Sequence, residues 1–341
     1  MSQSSQRTVV VITTGGTIAS RVQQGAVVAA DSGHDLVSRV AADVGVHLVV
    51  RELARKGSYQ LDLGDLRRIS EAVAATWREV PDASGVVITH GTDTLEETAF
   101  LIDLVHAGDQ PVVLTGAMRN ADDPDSDGPA NLADAVAVAA SDDARGRGAL
   151  VCFAGRIFAA KGVRKRHTVA DDAFDSKWSE GVLGRVVEGV PTFDSPPATG
   201  RTPAFPVPPP AFDDLVVDIV DSYPGADGRL VRAAAESGAQ GLVLVGTGAG
   251  NAAPGVFAAI TDCLSAGLPV LVATRVPYGP VVPVYGNGGG ADLAKAGAIP
   301  ARELPASQAR VLLALALATH PGAAAERVSD YLAQELPDNQ K

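Results

Sequence analysis

Short apolar runs alternate with stretches of helical spacing along most of this chain. Thr8–Thr14, His47–Leu53, Gly85–His90, Pro111–Gly116 and Gly148–Phe153 read as strands. Between them Leu66, Ile69, Val73 and Trp77 recur at helical spacing. So do Ala99, Ile102 and Val105, then Leu132, Ala135 and Val138. Strand alternating with helix predicts an α/β fold, with a parallel sheet covered on both faces.

From Val187 to Phe212 the pattern breaks in a proline-crowded stretch that ends in Pro206-Val207-Pro208-Pro209-Pro210. Proline at that density suits neither a helix nor a central strand, so a semi-rigid linker is expected. Alternation then resumes with strands at Leu215–Ile219, Gly241–Gly246 and Pro269–Thr274. Helices are expected at Leu230–Ser237, Gly255–Ala266, Gln308–Thr319 and Ala323–Leu336. The chain is thus divided into a domain over 1–190, a linker over 191–212 and a smaller α/β domain over 213–341. Two domains also suit 341 residues, a length at which one core rarely suffices.

Composition narrows the function classes. Aromatic residues are only 4% of the chain, whose formal net charge is -12. Such a surface repels nucleic acid and anionic membrane. The one compact basic run, Arg164-Lys165-Arg166, is too short to offset it. The longest apolar run, Val311 to Ala318, is too short to span a bilayer. The first residues lack the layout of a signal peptide, so a cytoplasmic location is expected. Cys152 and Cys263 both lie in apolar surroundings and read as buried small hydrophobes rather than a disulfide scaffold.

Two stretches carry the chemistry: Thr13-Thr14-Gly15-Gly16-Thr17-Ile18-Ala19-Ser20 and Thr89-His90-Gly91-Thr92-Asp93-Thr94. Each sets a threonine just past a buried strand, at the sheet edge where open α/β folds build their sites. Threonine becomes a useful nucleophile only beside a base and an oxyanion site. Gly15-Gly16 could be no more than a tight turn, or could let a substrate approach the backbone. Thr94 and Glu97 have capping-box spacing, which leaves Thr92 and Asp93 unexplained. Both sit beside a helix amino terminus that favours a carboxylate or oxyanion, while Asp93 suits an ammonium group. Lys165 is either part of a solvated basic turn or an inward base whose cationic neighbours lower its pKa. Asp122, Asp123 and Asp125 read as a surface loop, because their spacing lacks a calcium-loop pattern. The scattered histidines offer no metal pair, and His90 reads as structural. Gly246-Thr247-Gly248-Ala249-Gly250-Asn251 mimics a dinucleotide fingerprint but has Asn251 in place of the third glycine.

Taken together, these motifs resemble the bacterial-type L-asparaginase family, which includes glutaminase-asparaginases. The matches are Thr14–Ala19, Ile88–Ala99, Gly116–Arg119, Asp127-Gly128-Pro129, Arg275-Val276-Pro277 and Ala309–Leu313, in order along nearly the whole chain. The resemblance implies a flavodoxin-like amino-terminal domain and a smaller Rossmann-like one. It implies Thr17 as the nucleophile that forms an acyl-enzyme, and Thr92, Asp93 and Lys165 as a second catalytic cluster. Gly16, Gly91 and Ala117 would border the substrate. Lys56–Asp62 overlays the loop that binds the substrate carboxylate, through Ser58 in one register or Gln60 in another. Asn251 would complete a neighbouring subunit's site in a homotetramer built of intimate dimers. No metal or organic cofactor is implied.

Two departures stand out. The segment Ser20–Ser32 is shorter than the family's lid and has no tyrosine to assist the nucleophile. A region near Tyr285-Gly286 replaces the pocket glutamate of many periplasmic relatives. The expectation is hydrolysis of L-asparagine, with broad glutaminase-asparaginase activity as the alternative. A nucleotide-binding oxidoreductase and a non-catalytic amino-acid sensor are the readings from other classes.

Overall fold

The structure is a computed structural model and describes residues 6–40, 45–177, 181–197 and 203–333. The chain divides into two compact units, Met1–Pro203 and Ala204–Lys341.

The first unit is built on an eight-stranded sheet. Five strands are parallel, in the spatial order His47–Lys56, Thr8–Gly15, Ala83–Thr89, Val112–Thr115, Ala149–Phe153. Numbered by sequence that order is 2-1-3-4-5, the flavodoxin arrangement. Its topological switch point lies between Thr8–Gly15 and Ala83–Thr89. Alternate residues of the strands feed two cores. Val9, Val11 and Val87 face Leu132, Ala135 and Val136 of helix Gly128–Ala140. Val10, Ile12 and Ile88 face Ile69 and Val73 of helix Leu63–Glu79, and Ala99 and Ile102 of helix Leu95–Val105.

The sheet is mixed rather than wholly parallel. Strands Arg156–Ala159, Val182–Val187 and Val190–Phe193 extend it in antiparallel fashion. Two tight turns make this possible. Ala154-Gly155 and Glu188-Gly189 both adopt positive φ (49° and 70°, 51° and 74°), which fits the twist of two-residue hairpins. The segment expected to be a linker from 191 onward therefore opens inside a strand. Pro191 is tolerated there because Val190–Phe193 is the edge of the sheet. Residues 198–202 of that segment, and the end of the expected helix Ala323–Leu336 beyond 333, lie outside the described residues.

The second unit has four parallel strands in sequence order: Val217–Asp221, Gly241–Gly246, Val270–Thr274 and Ile299–Pro300. Helices Arg229–Glu236, Pro254–Ser265 and Ala306–Thr319 accompany them. Cys152 and Cys263 are both buried and free, as their apolar surroundings predicted. Among the described residues, no helix is long and apolar enough to cross a membrane.

Candidate active site

The two threonine loops meet at the switch point of the first sheet. Thr13 and Thr89 are register partners on the neighbouring strands, so both chains leave the sheet side by side. Thr14 Oγ1 donates to the carbonyl of Thr89 at 2.9 Å. Just beyond, the backbones nearly touch. A Cβ on Gly16 would lie 2.4 Å from the nitrogen of Gly91, and Gly16 has φ +80°. Only glycine fits that conformation and that approach. Gly91 in turn leaves no room for a Cβ, which would fall 2.6 Å from Ser58 Oγ. The glycines of both motifs thus serve to bring three loops together.

A cavity of about 370 Å³ opens where these loops converge. Gly16, Thr17, Ser58, Gln60, Gly91, Thr92 and Asp93 all line it. Thr17 is half-buried, and among the described residues its hydroxyl has no hydrogen-bond partner. Ser58 and Gln60, alternatives in the sequence, share this wall. Ser58 Oγ accepts from the Asp93 N–H at 3.2 Å, and Gln60 Oε1 accepts from the Gly57 N–H at 3.0 Å.

Lys165 turns inward. It ends the short strand Val163–Lys165, which pairs with Phe174–Ser176. Side chains alternate along a strand, so Lys165 shares the face of Val163, which is fully buried. Its Nζ donates to Thr92 Oγ1 at 2.8 Å and to Asp93 Oδ1 at 2.7 Å. Its backbone N–H donates to Glu96 Oε2 at 2.7 Å, which docks the strand on helix Leu95–Val105. Arg166 points the other way and pairs with Asp172 at the surface. The basic run is therefore not a uniformly solvated turn.

His90 stands behind the site as a structural pin. It is fully buried, and burial pushes its pKa down to about 4. A carbonyl can only accept, so Nδ1–H donates to Gly91 O at 2.8 Å. The neutral Nε2 then accepts from Thr98 Oγ1 at 3.0 Å.

Thr94 departs from expectation. It is the N-cap of Leu95–Val105, yet its side chain makes no cap hydrogen bond. Its hydroxyl donates instead to the Ser58 carbonyl at 3.0 Å, tying the Ser58 loop to the Thr92 loop. Asp127 braces the far side by accepting from the N–H groups of Met118 and Arg119, both at 2.9 Å. Ala117 is fully buried and is not among the lining residues. Asn251 lies in the second unit. There its Oδ1 accepts from Gly290 N–H at 3.0 Å, and Thr247 bridges to it across the glycine loop.

Sequence reasoning missed several lining residues. Ser20–Gln23 and Ala26–Ala29 form a hairpin that brings Val28 and Ala29 to the cavity. Gln24 and Gly25 supply its positive-φ turn. Arg21 pins the hairpin to Asp31 and Asp122, both within 2.6 Å. An ion-pair network thus tethers this segment. Tyr59 is 74% exposed on the lip, and Arg55 lies at the end of strand His47–Lys56. A carboxyl-end position on a strand beside the switch point was the available signal for Arg55.

Comparison with known proteins agrees with this geometry. Residues 8–199 match the family model for the asparaginase N-terminal domain, and residues 216–331 match the glutaminase/asparaginase C-terminal domain. The chain belongs to the asparaginase family. It is 44% identical over 239 residues to a probable L-asparaginase of Deinococcus radiodurans, which covers 68% of this chain and 70% of that protein. It is 33% identical over 286 residues to the glutaminase-asparaginase of Pseudomonas fluorescens biotype A, covering 80% and 76%. The crystal structure of a probable cytoplasmic L-asparaginase from Campylobacter jejuni superposes with a TM-score of 0.84 at 32% identity. That match covers 96% of this chain and 99% of the other.

Family membership displaces the oxidoreductase reading of Gly246–Asn251. The loop closes on itself, with Thr247 N–H donating to Asn251 O at 2.8 Å. Thr274 Oγ1 fills the turn by donating to Gly248 O at 2.6 Å.

Proposed function

We propose that this protein hydrolyses L-asparagine to L-aspartate and ammonia through an acyl-threonine intermediate. The observation that carries the reading is one cavity lined by Thr17, whose hydroxyl has no partner among the described residues, and by Thr92 and Asp93, which Lys165 holds. Thr17 Oγ attacks the carbon of the side-chain amide. Charge develops on the amide oxygen, and backbone N–H groups of the two threonine loops are the donors for it. The C–N bond breaks, and the leaving nitrogen takes the proton given up by Thr17, so that ammonia departs. Lys165 and Thr92 then help remove a proton from water, which attacks the threonine ester. The ester C–O bond breaks, Thr17 regains its proton and L-aspartate is released.

Asp93 holds the substrate ammonium group. Ser58 and Gln60 face its carboxylate, and Gly16 and Gly91 shape the space around the amide. No metal or organic cofactor takes part in this scheme. Glutaminase-asparaginase activity is the second reading. It is favoured by the Pseudomonas relative and by a cavity of about 370 Å³, roomy for one further methylene.

We place the protein in the cytoplasm, on the strength of the Campylobacter structure's description. We further propose a homotetramer of intimate dimers in which Asn251 completes a neighbour's site. Light scattering run beside the assay tests this, since activity is then lost on dilution to monomers and a fully active monomer overturns it. The function itself is tested by ammonia release from L- and D-asparagine and L- and D-glutamine. Release from L-asparagine is expected, and none from any amide overturns the reading.

A further inference from the structure

Among the residues lining the cavity, Asp93 carries a negative charge and Arg55 a positive one. Other nearby cations are already committed. Lys165 serves Thr92 and Asp93, and Lys56 Nζ pairs with Asp65 Oδ2 at 2.8 Å. Arg21 is held by Asp31 and Asp122.

Arg55 is held differently. Its Nε and Nη2 donate in parallel to Glu52 Oε1 and Oε2, at 2.8 and 3.0 Å. Glu52 Oε2 also accepts from the Gly33 N–H at 3.0 Å, at the start of helix Gly33–Ser38. The side chain, 47% exposed, is therefore aimed by a carboxylate that the Gly33 N–H also holds. A guanidinium has five N–H donors in a rigid fork. Glu52 occupies two of them, and among the described residues Nη1 has no partner. A planar cation with an open donor edge is suited to a carboxylate.

Resting on the proposed amidohydrolase function, we infer that Arg55 is a further substrate-binding residue: it takes the α-carboxylate of an α-amino acid in the cavity while Asp93 takes the ammonium group. Glu52 is its positioning residue. The pair makes the site selective for a zwitterionic head group with a free α-carboxylate.

Calorimetric binding of two ligands that differ at that group tests the inference. L-Aspartate has a free α-carboxylate, and its α-amide, isoasparagine, does not. Arg55→Gln is expected to weaken L-aspartate binding by about tenfold or more, the loss typical of a charge-assisted contact, and to leave isoasparagine binding nearly unchanged. Arg55→Lys keeps the charge without the fork and should lie between. In turnover, KM for L-asparagine should rise while kcat stays within about threefold. Unchanged L-aspartate affinity in both variants, or equal loss for both ligands, overturns the role. Should Arg55→Gln fail to fold, Arg55→Lys alone decides by the same comparison. Because binding needs no turnover, failure of the wild type to release ammonia counts against the proposed function and not against Arg55.

Discussion

Lys165 Nζ stands 2.8 Å from Thr92 Oγ1 and 2.7 Å from Asp93 Oδ1, across more than seventy residues of sequence. Helix Leu95–Val105 sets this distance, because Glu96 at its start accepts from the Lys165 backbone N–H. The base candidate and its hydroxyl are thus aligned by the same element. Lys165→Met is expected to lower kcat on the order of 10³-fold, within the range for loss of general acid–base catalysis. Arg166→Met removes only an exposed ion pair with Asp172 and should stay within about twofold. Ammonia-release kinetics on both variants make the check, and equal effects overturn the role of Lys165.

Thr17 offers a cleaner substitution. Its hydroxyl has no partner among the described residues, so Thr17→Ala forfeits no internal hydrogen bond there. Turnover should vanish while the melting temperature stays within a few degrees. Retention of more than roughly a hundredth of the activity is too small a loss for a missing nucleophile and would falsify the acyl-threonine scheme.

Gly91 and Gly25 separate close approach from backbone strain. A Cβ at Gly91 would fall 2.6 Å from Ser58 Oγ and 3.0 Å from Ser58 N. Gly91→Ala should therefore cost about 1–3 kcal/mol of stability and displace the loop that carries Ser58. A Cβ at Gly25 meets nothing within 4 Å, although φ is +82°. Gly25→Ala carries only the left-handed penalty of about 1–2 kcal/mol and should leave the rate intact. Thermal melts and assays on both variants make the comparison. Equal activities would show that the packing of Gly91 on Ser58 does not shape the site.

His90 makes stability depend on pH. Burial lowers its pKa in the fold from 6.5 to about 4, so at neutral pH the ring is uncharged in both states. As pH falls below 6.5 the unfolded chain binds a proton that the folded one refuses. The stability contribution is complete above 6.5 and is lost progressively as pH falls to about 4. A shift of that size corresponds to about 3 kcal/mol. His90→Asn keeps a donor for Gly91 O and removes the titration. Urea unfolding at a series of pH values should give a shallower acid slope for the variant over this window. Parallel slopes would mean that His90 is protonated in the fold.

Much of this protein followed from its sequence. Apolar runs and helical spacings named the five parallel strands and most helices, because strands and helices buried against one another must be apolar at fixed periods. Thr17, Thr92 and Asp93 were legible because each follows directly from the end of such a strand. The three antiparallel strands were not. They depend on two positive-φ turns at Ala154-Gly155 and Glu188-Gly189, and Pro191 concealed an edge strand behind a linker-like composition. Thr94 and Glu97 had capping-box spacing, but the nearby Ser58 carbonyl took the Thr94 hydroxyl instead. The sequence left two readings of Lys165, and strand pairing with Phe174 turned it inward beside Val163. Arg55 and the hairpin at Ser20–Ala29 came to the cavity through contacts with Glu52, Asp31 and Asp122. Periodicity records which residues must leave water. Which polar groups then meet depends on how distant strands and loops close on one another, and local spacing carries no measure of that.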